Sequence, residues 1–329
     1  MGVNKRKTVA VVLAAGLGKR MKSQRPKVLH EVCGQSMVSH VLESLLEINV
    51  EAIYVVVGHK GEMVQQHVEH TFQSPIIHFV TQHTQEGTAH AVMQTEPYLK
   101  DFDGDVIVCC GDTPLIRTET FQSLISAAHD ARSKAAILSA IVDDPTGYGR
   151  IVRHSDGSVH IVEHKDCTEE ELKIREVNAG TYCFDGRLLF KALALVDNNN
   201  AQKEYYLPDV PKILAASGHK VIAITLDDWT EMIGINSKRH LADANAILQK
   251  RLQDAHMKNG VTIVDPANTY IEKHVQIGPD SIIYPFTALR GRTRIGADVR
   301  IGPFADLLDV EVPDGAVWSG TNAGSLNIC

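Results

Sequence analysis

The chain has 329 residues, 44% of them hydrophobic and 22% charged, with a formal net charge of −7. That composition belongs to a globular protein with a sizeable core and excludes disordered and fibrous architectures. The acidic balance argues against nucleic acid or an anionic membrane as partner, and no apolar run approaches the roughly 18 residues of a membrane span.

The N-terminal stretch runs straight into a strand, without the small-residue cleavage site of a signal peptide. Arg6 stands where a myristoylation signal needs Ser or Thr, so a cytoplasmic protein is expected. Residues 1–30 carry eight basic side chains (Lys5, Arg6, Lys7, Lys19, Arg20, Lys22, Arg25, Lys27) and no acid. A solvated basic tail accounts for Lys5 to Lys7 but not for the group from Lys19 to Lys27, which points to a local polyanion site.

Up to about residue 230, Val/Ile-rich runs at Thr8–Ala14, Ala52–Gly58, Ile76–Thr81 and Asp105–Cys110 read as strands buried on both faces. Helical stretches at Met37–Ile48, Gly61–Thr71 and Thr88–Leu99 alternate with them, which predicts right-handed crossovers and a doubly wound, mainly parallel Rossmann-like α/β sheet. Ligands on such sheets collect at the carboxyl ends of the strands, in the loops after Ala14, Thr81 and Cys110.

The first of these loops holds Leu13, Ala14, Ala15, Gly16, Leu17, Gly18, Lys19, Arg20 and Met21. Glycines after a strand let backbone N–H groups approach phosphate oxygens, and a following helix N-terminus adds a favourable dipole. Met21 breaks the dinucleotide fingerprint and Arg20 breaks the Walker A pattern. A glycine pair is equally a tight turn, but Lys19, Arg20 and, after Pro26, Lys27 supply phosphate-gripping cations. Further on, Asp112 closes a buried run at the sheet's carboxyl edge. With Thr113-Pro114 it would cap a turn; near a triphosphate it would hold Mg²⁺, which prefers one or two carboxylates with phosphate oxygens and water.

A second strand set, Ala135–Val142, Gly149–Val152, Val159–Glu163 and Val177–Phe184, is expected as an antiparallel addition packed on the first half. His154-Ser155-Asp156-Gly157 is its hairpin turn signal. The six cysteines (Cys33, Cys109, Cys110, Cys167, Cys183, Cys329) show no metal or disulfide spacing. His67/His70 and His160/His164 lack a zinc context and read as ordinary surface or half-buried histidines. An amphipathic helix over 237–258, with Leu241, Ala244, Leu248 and Ala255 on one side, reads as an arm stopped near Gly260.

Beyond the arm the period becomes six. Ile271, Ile277, Ile283, Leu289, Ile295, Ile301 and Leu307 recur without a miss, each preceded two residues earlier by a small or β-branched residue (Thr269, Val275, Ser281, Thr287, Thr293, Val299, Ala305). This hexapeptide repeat predicts a short parallel β-helix of about two to three coils. The expected organisation is residues 1–236 as the main domain, 237–259 as a helical linker, and 260–329 as the β-helix and tail.

The string LAAGLGKRMKSQRPKVLH closely resembles the signature of the sugar-nucleotide pyrophosphorylases, and within them the bacterial N-acetylglucosamine-1-phosphate uridyltransferases. Gln82–Ala91 resembles that family's uracil-binding stretch, Cys110–Leu115 its metal-site loop, and Pro145–Ile151 and Ile161–Asp166 its sugar-site segments. Val177–Gly180, Asn198–Gln202 with Glu204-Tyr205-Tyr206, and Gly234–Asn236 complete a likeness that runs in order from residue 8 to about 240.

The resemblance implies transfer of a uridylyl group from UTP to N-acetylglucosamine 1-phosphate, giving UDP-N-acetylglucosamine and pyrophosphate. Arg20 is expected at the triphosphate and Lys27 at the phosphates of the reacting centre; the resemblance implies Mg²⁺ held by Asp112 and Asn236, although Asn236 would equally cap the helix that follows it. Leu13, Ala14, Ala15, Gly16, Gln82, Gly87 and Thr88 would bind the nucleotide. Gly149, Glu163 and Asn178 would hold the sugar, although Glu163 also fits a surface charge at a strand end. Asn198–Asn200 becomes a pocket rim by resemblance alone. Cys110 departs from the tyrosine common in the family. The family's bifunctional members continue into a long left-handed β-helix carrying an acetyltransferase; here the repeat is expected to end near Leu307, with Asp309–Cys329 a short tail, so no acetyl transfer is expected. A homotrimer through the β-helix is compatible with the likeness. The rival readings are another sugar 1-phosphate or nucleotide, and a non-catalytic sugar-nucleotide sensor.

Overall fold

The computed structural model describes residues 6–155 and 157–319. Lys5, Asp156 of the hairpin turn, and Cys329 therefore lie outside the described residues. The chain divides into two compact units, one of residues 1–29 and 37–237, the other of residues 30–36 and 238–329.

Among the described residues, the first unit is built on a sheet of nine strands. They are Thr8–Ala14 (β1), Ala52–Val57 (β2), Ile77–Thr81 (β3), Asp105–Cys110 (β4), Ala135–Ile141 (β5), Arg150–Arg153 (β6), Val159–Val162 (β7), Glu176–Asp185 (β8) and Val221–Thr225 (β9). The sheet runs β9-β5-β8-β4-β1-β2-β3, and β6 pairs with β8 and β7. The segment β3-β2-β1-β4 is parallel throughout, the doubly wound arrangement expected from the strand–helix alternation. Alternation along β1 explains its continuous apolar sequence. Ala10, Val12 and Ala14 pack into the core on one face of the sheet, Val9 and Val11 into the core on the other, as two-sided burial requires.

Several expectations need correction. The second strand set is not a separate addition, because β8 lies inside the sheet, antiparallel to both β4 and β5. Only the β6–β7 hairpin stands off the main order. The helix expected over Thr88–Leu99 is two, Thr88–Met93 and Glu96–Leu99. Pro97 has no N–H to give the carbonyl of Met93, which interrupts the helical ladder there. The helix expected after Gly18 is only a three-residue 3₁₀ turn, Lys19–Met21, so little helix dipole is available at that loop.

The second unit has a 21-residue helix, Lys238–Lys258, followed by a short left-handed parallel β-helix. One face stacks Thr262–Ile263, Ile282–Ile283, Arg300–Ile301 and Val317–Trp318. The other two stack three strands each, with Ile271, Leu289 and Leu307 in register on one. All seven small or β-branched residues of the repeat are buried, and so are the repeat aliphatics except the half-buried Ile277.

The repeat does not end at Leu307. Glu311–Val312 pairs with Arg294–Ile295, and Val317–Trp318 with Arg300–Ile301. Leu307 and Val312 are five apart rather than six, so a strict hexad scan loses the last coil although it is there. The helix contacts its own unit through polar groups. Ala255 is exposed, whereas Gln253 is buried and donates to the carbonyls of Pro266 (2.9 Å) and Thr269 (2.7 Å).

Candidate active site

The carboxyl ends of β1 and β4 lie side by side at the point where the order of the parallel strands reverses, the usual ligand crevice of such sheets. The loop after β1 turns at Gly18, whose φ of +60° suits glycine. A Cβ there would also come within 2.8 Å of Lys27 Cβ, so the turn and the lysine are packed against each other. Arg20 and Lys19 are exposed, whereas Lys27 is drawn in, its side chain 13% exposed.

Lys27 Nζ forms an ion pair with Asp112 Oδ2 and donates to Asn236 Oδ1 at 2.6 Å. One carboxylate and one amide oxygen thus converge on a single cationic group. Main-chain bonds fix both partners: the Ile235 N–H donates to the Asp112 carbonyl (2.9 Å), and Gly111 N–H to that of Leu13 (2.9 Å). Among the described residues no three His, Cys, Asp or Glu side chains converge to hold a metal ion. Two hard oxygen donors at one point are what a phosphate-bridging Mg²⁺ takes from a protein, its other ligands coming from substrate and water.

Next to this point lies a cavity of about 190 Å³ whose lining includes Leu13, Thr88, Cys110, Glu163, Asn178 and Tyr182. Gly149 stands beside it. Its carbonyl accepts from the Asn178 N–H (2.8 Å), and a Cβ at Gly149 would lie 3.1 Å from Glu163 Oε1. The three expected sugar-site residues therefore meet in one place. Burial, with Asp166 and Asp209 nearby, raises the Glu163 carboxyl above its ordinary range. Burial likewise pushes the Cys110 thiol up to about 12, which keeps it protonated.

The segment after β3 forms another wall. Gln82 is buried, its amide nitrogen 3.2 Å from the Gly87 carbonyl and 3.1 Å from His90 Nδ1. Gly87 has a φ of +118°, and a Cβ there would strike the backbone of Tyr205. Tyr205 N–H donates to Glu86 O (2.8 Å), Ala89 N–H to Tyr205 O (2.9 Å), and Leu207 N–H to Thr88 Oγ1 (3.0 Å). Loop 202–208 is thereby sewn to the 82–89 segment, which brings Gln202, Glu204 and Tyr206 into the cavity wall.

Asn199 and Asn200 line a separate, larger cleft of about 560 Å³ that shares Glu163, Tyr206 and Pro208 with the smaller cavity. Asn200 spends its side chain on its own loop, donating to Glu204 O (2.6 Å) and accepting from Gln202 N–H (3.2 Å). Lining residues not assigned a role from the sequence, Tyr182, Gln202 and Pro208 among them, are core-like or loop-like in pattern. Only the order of Gln202 to Tyr206 within the resembling segment pointed to that loop.

Comparison with known proteins identifies the family. The sequence profile described as nucleotidyl transferase matches residues 9–273. The chain is 50% identical over 307 residues to the "Bifunctional protein GlmU" of Geobacillus thermodenitrificans, covering 93% of this chain and 66% of that protein. It is 49% identical over 302 residues to the protein of the same name from Listeria welshimeri, covering 92% and 65%. The match to the Listeria monocytogenes protein is 50% over 293 residues, covering 89% and 63%. The chain thus spans a little under two thirds of the length of these relatives. The profile covers most of the sheet unit and the loops that carry the Lys27 cluster and the cavity, and on that ground the chain belongs to the nucleotidyl transferase family.

Proposed function

We propose that this chain is a uridylyltransferase that joins UTP and N-acetylglucosamine 1-phosphate into UDP-N-acetylglucosamine, releasing pyrophosphate. The observation that carries the reading is the convergence of Lys27, Asp112 and Asn236 beside the cavity lined by Glu163 and Asn178, at the switch point of a doubly wound sheet. The relatives named above are bifunctional by name, and the sugar and nucleotide come from the motif resemblance.

The sugar-phosphate oxygen that attacks the α-phosphorus is already anionic near neutral pH, so no general base is required. Catalysis is then positioning and charge neutralisation. The Lys27 ammonium would neutralise charge at the reacting phosphates, and exposed Arg20 would clamp the outer phosphates bidentately. Leu13, Ala14, Ala15, Gly16, Gln82, Gly87 and Thr88 would seat the nucleotide; Gly149, Glu163 and Asn178 would seat the sugar. Asp112 and Asn236 would hold Mg²⁺, which neutralises phosphate charge when bound.

The test is pyrophosphate release from UTP and N-acetylglucosamine 1-phosphate with Mg²⁺, beside an EDTA control and a panel of other sugar phosphates and nucleotides. Metal-dependent release with this pair is expected. Preference for another pair would change the substrate, and tight UDP-sugar binding without turnover would favour the sensor. The expectation that the chain carries no acetyl transfer rested on the repeat ending near Leu307, which the last coil corrects. A calorimetric titration with acetyl-CoA tests it, and binding would overturn it.

The reading includes a homotrimer through the β-helix, supported by the exposed, stacked pair Phe286 and Phe304, 5.2 Å between centroids. Light scattering tests that assembly. No helix among the described residues is long and apolar enough to cross a membrane, which is compatible with the cytoplasmic location proposed here.

A further inference from the structure

Strand β8 carries an irregularity at the cavity wall. Between Asn178 and Tyr182, four steps along β8 oppose only two along β5, from Ser139 to Ile137. Gly180 lies within the bulge at φ +71°. In a regular strand, residues four apart are separated by ~13 Å. The bulge and the length of a tyrosine close that gap, and Asn178 Nδ2 donates to Tyr182 Oη at 2.7 Å.

The other end of the Asn178 amide is fixed as well. Its Oδ1 accepts from the Gly180 N–H at 3.0 Å. A backbone N–H can only donate, so this bond sets which end of the amide is oxygen and leaves Nδ2 toward the phenol. The Tyr182 ring is 2% exposed and stacked on Phe184 with 5.4 Å between centroids, so its hydroxyl is held in place. Burial keeps that phenol protonated. Asn178, Tyr182, Cys110 and Glu163 all line the same cavity.

We propose that Tyr182 is a positioning residue that locks the Asn178 amide and thereby sets the affinity of the cavity for the sugar phosphate. The assignment rests on the sugar-site reading of Asn178 given above. With one N–H and one oxygen lone pair already used, the locked amide keeps one donor and one acceptor for a ligand bearing hydroxyl and amide groups. Without the phenol hydroxyl, the Asn178 side chain keeps only its bond to Gly180 and its nitrogen is no longer anchored.

The test is Tyr182→Phe, which removes one oxygen and keeps the ring. The KM for the sugar phosphate is expected to rise about tenfold, with the KM for UTP and kcat within about threefold of wild type. Two equally raised KM values, or an unchanged sugar-phosphate KM, would overturn the assignment. A loss of folding would show in thermal unfolding, and Tyr182→Met would then remove the same hydroxyl with a smaller, flexible side chain that the core accommodates.

A second measurement does not depend on turnover. The side-chain amide signals of Asn178, identified by their loss in Asn178→Asp, are expected to shift in Tyr182→Phe in the ligand-free protein. Unchanged signals would sink the lock itself. Wild-type protein that ignores N-acetylglucosamine 1-phosphate but accepts another sugar phosphate would defeat the substrate reading, and the KM comparison then runs with that substrate. No response to any sugar phosphate would overturn the role in affinity, whatever the amide signals show.

Discussion

Lys27 and Asn236 come from opposite ends of the first unit's sequence and Asp112 from its middle, and the Lys27 ammonium holds both partners, through an ion pair with the carboxylate and a hydrogen bond to the amide oxygen. Truncating Lys27 or Asp112 to alanine should therefore cost turnover far more than stability. Lys27→Ala and Asp112→Ala are each expected to lower kcat by a factor of about 10² or more, with cooperative unfolding retained; near-normal turnover in either variant would sink the assignment. Glu163 offers a pH test. Its carboxyl is raised by burial, so the folded chain takes up a proton at a higher pH than the unfolded chain. Between the ordinary glutamate value and that raised value, stability of the free protein falls as pH rises. If the ionised carboxylate accepts from sugar hydroxyls, UDP-N-acetylglucosamine binding weakens as pH falls through the same window. Calorimetry with this ligand avoids the second ionisation of a phosphate monoester, and Glu163→Gln should flatten the pH dependence. A wild-type affinity independent of pH across the window would remove Glu163 from the site.

Elements set what these residues can do, and the loop after β1 shows how. Gly18 combines a φ of +60° with a close approach to Lys27 Cβ. Gly18→Ala should cost about 1–2 kcal/mol of backbone strain and displace the lysine, lowering turnover more than the unfolding temperature. Equal small effects on both would mean that the loop is only a turn. The strands were legible in the sequence for a physical reason: β1 and β4 are buried on both faces, which demands unbroken apolar runs. The position of β8 was not legible, because a central antiparallel strand and a flanking one share the same alternation. The cavity wall at 202–208 was legible only through the resemblance of Gln202 to Tyr206, because it is held by the main chain of Tyr205 and by Thr88 rather than by a side-chain pattern. Tyr182 looked like any core aromatic, since a bulge leaves no periodic trace.

Each of the two units has its own hydrophobic core, with Ile271, Ile283, Leu289, Ile301 and Leu307 at the centre of the β-helix and none of them in the cores of the sheet unit. The hexad period made these residues legible, while the five-residue step to Val312 hid the final coil. Separate cores allow each unit to be weakened on its own. Leu289 is fully buried and in register between Ile271 and Leu307, so Leu289→Ala leaves a cavity that its two neighbours cannot close. A cost of about 2–5 kcal/mol is expected, and it should appear in the unfolding step of the β-helix. UTP with Mg²⁺ should instead raise the step of the sheet unit, by about 2.7 kcal/mol at a hundred times its dissociation constant. Calorimetric scans of wild type and Leu289→Ala, each with and without the nucleotide, separate these effects. The expected result is that the substitution lowers one transition while the nucleotide raises the other by the same amount in both proteins. A nucleotide shift that vanishes in Leu289→Ala would mean that the sheet unit does not hold its site without an intact β-helix.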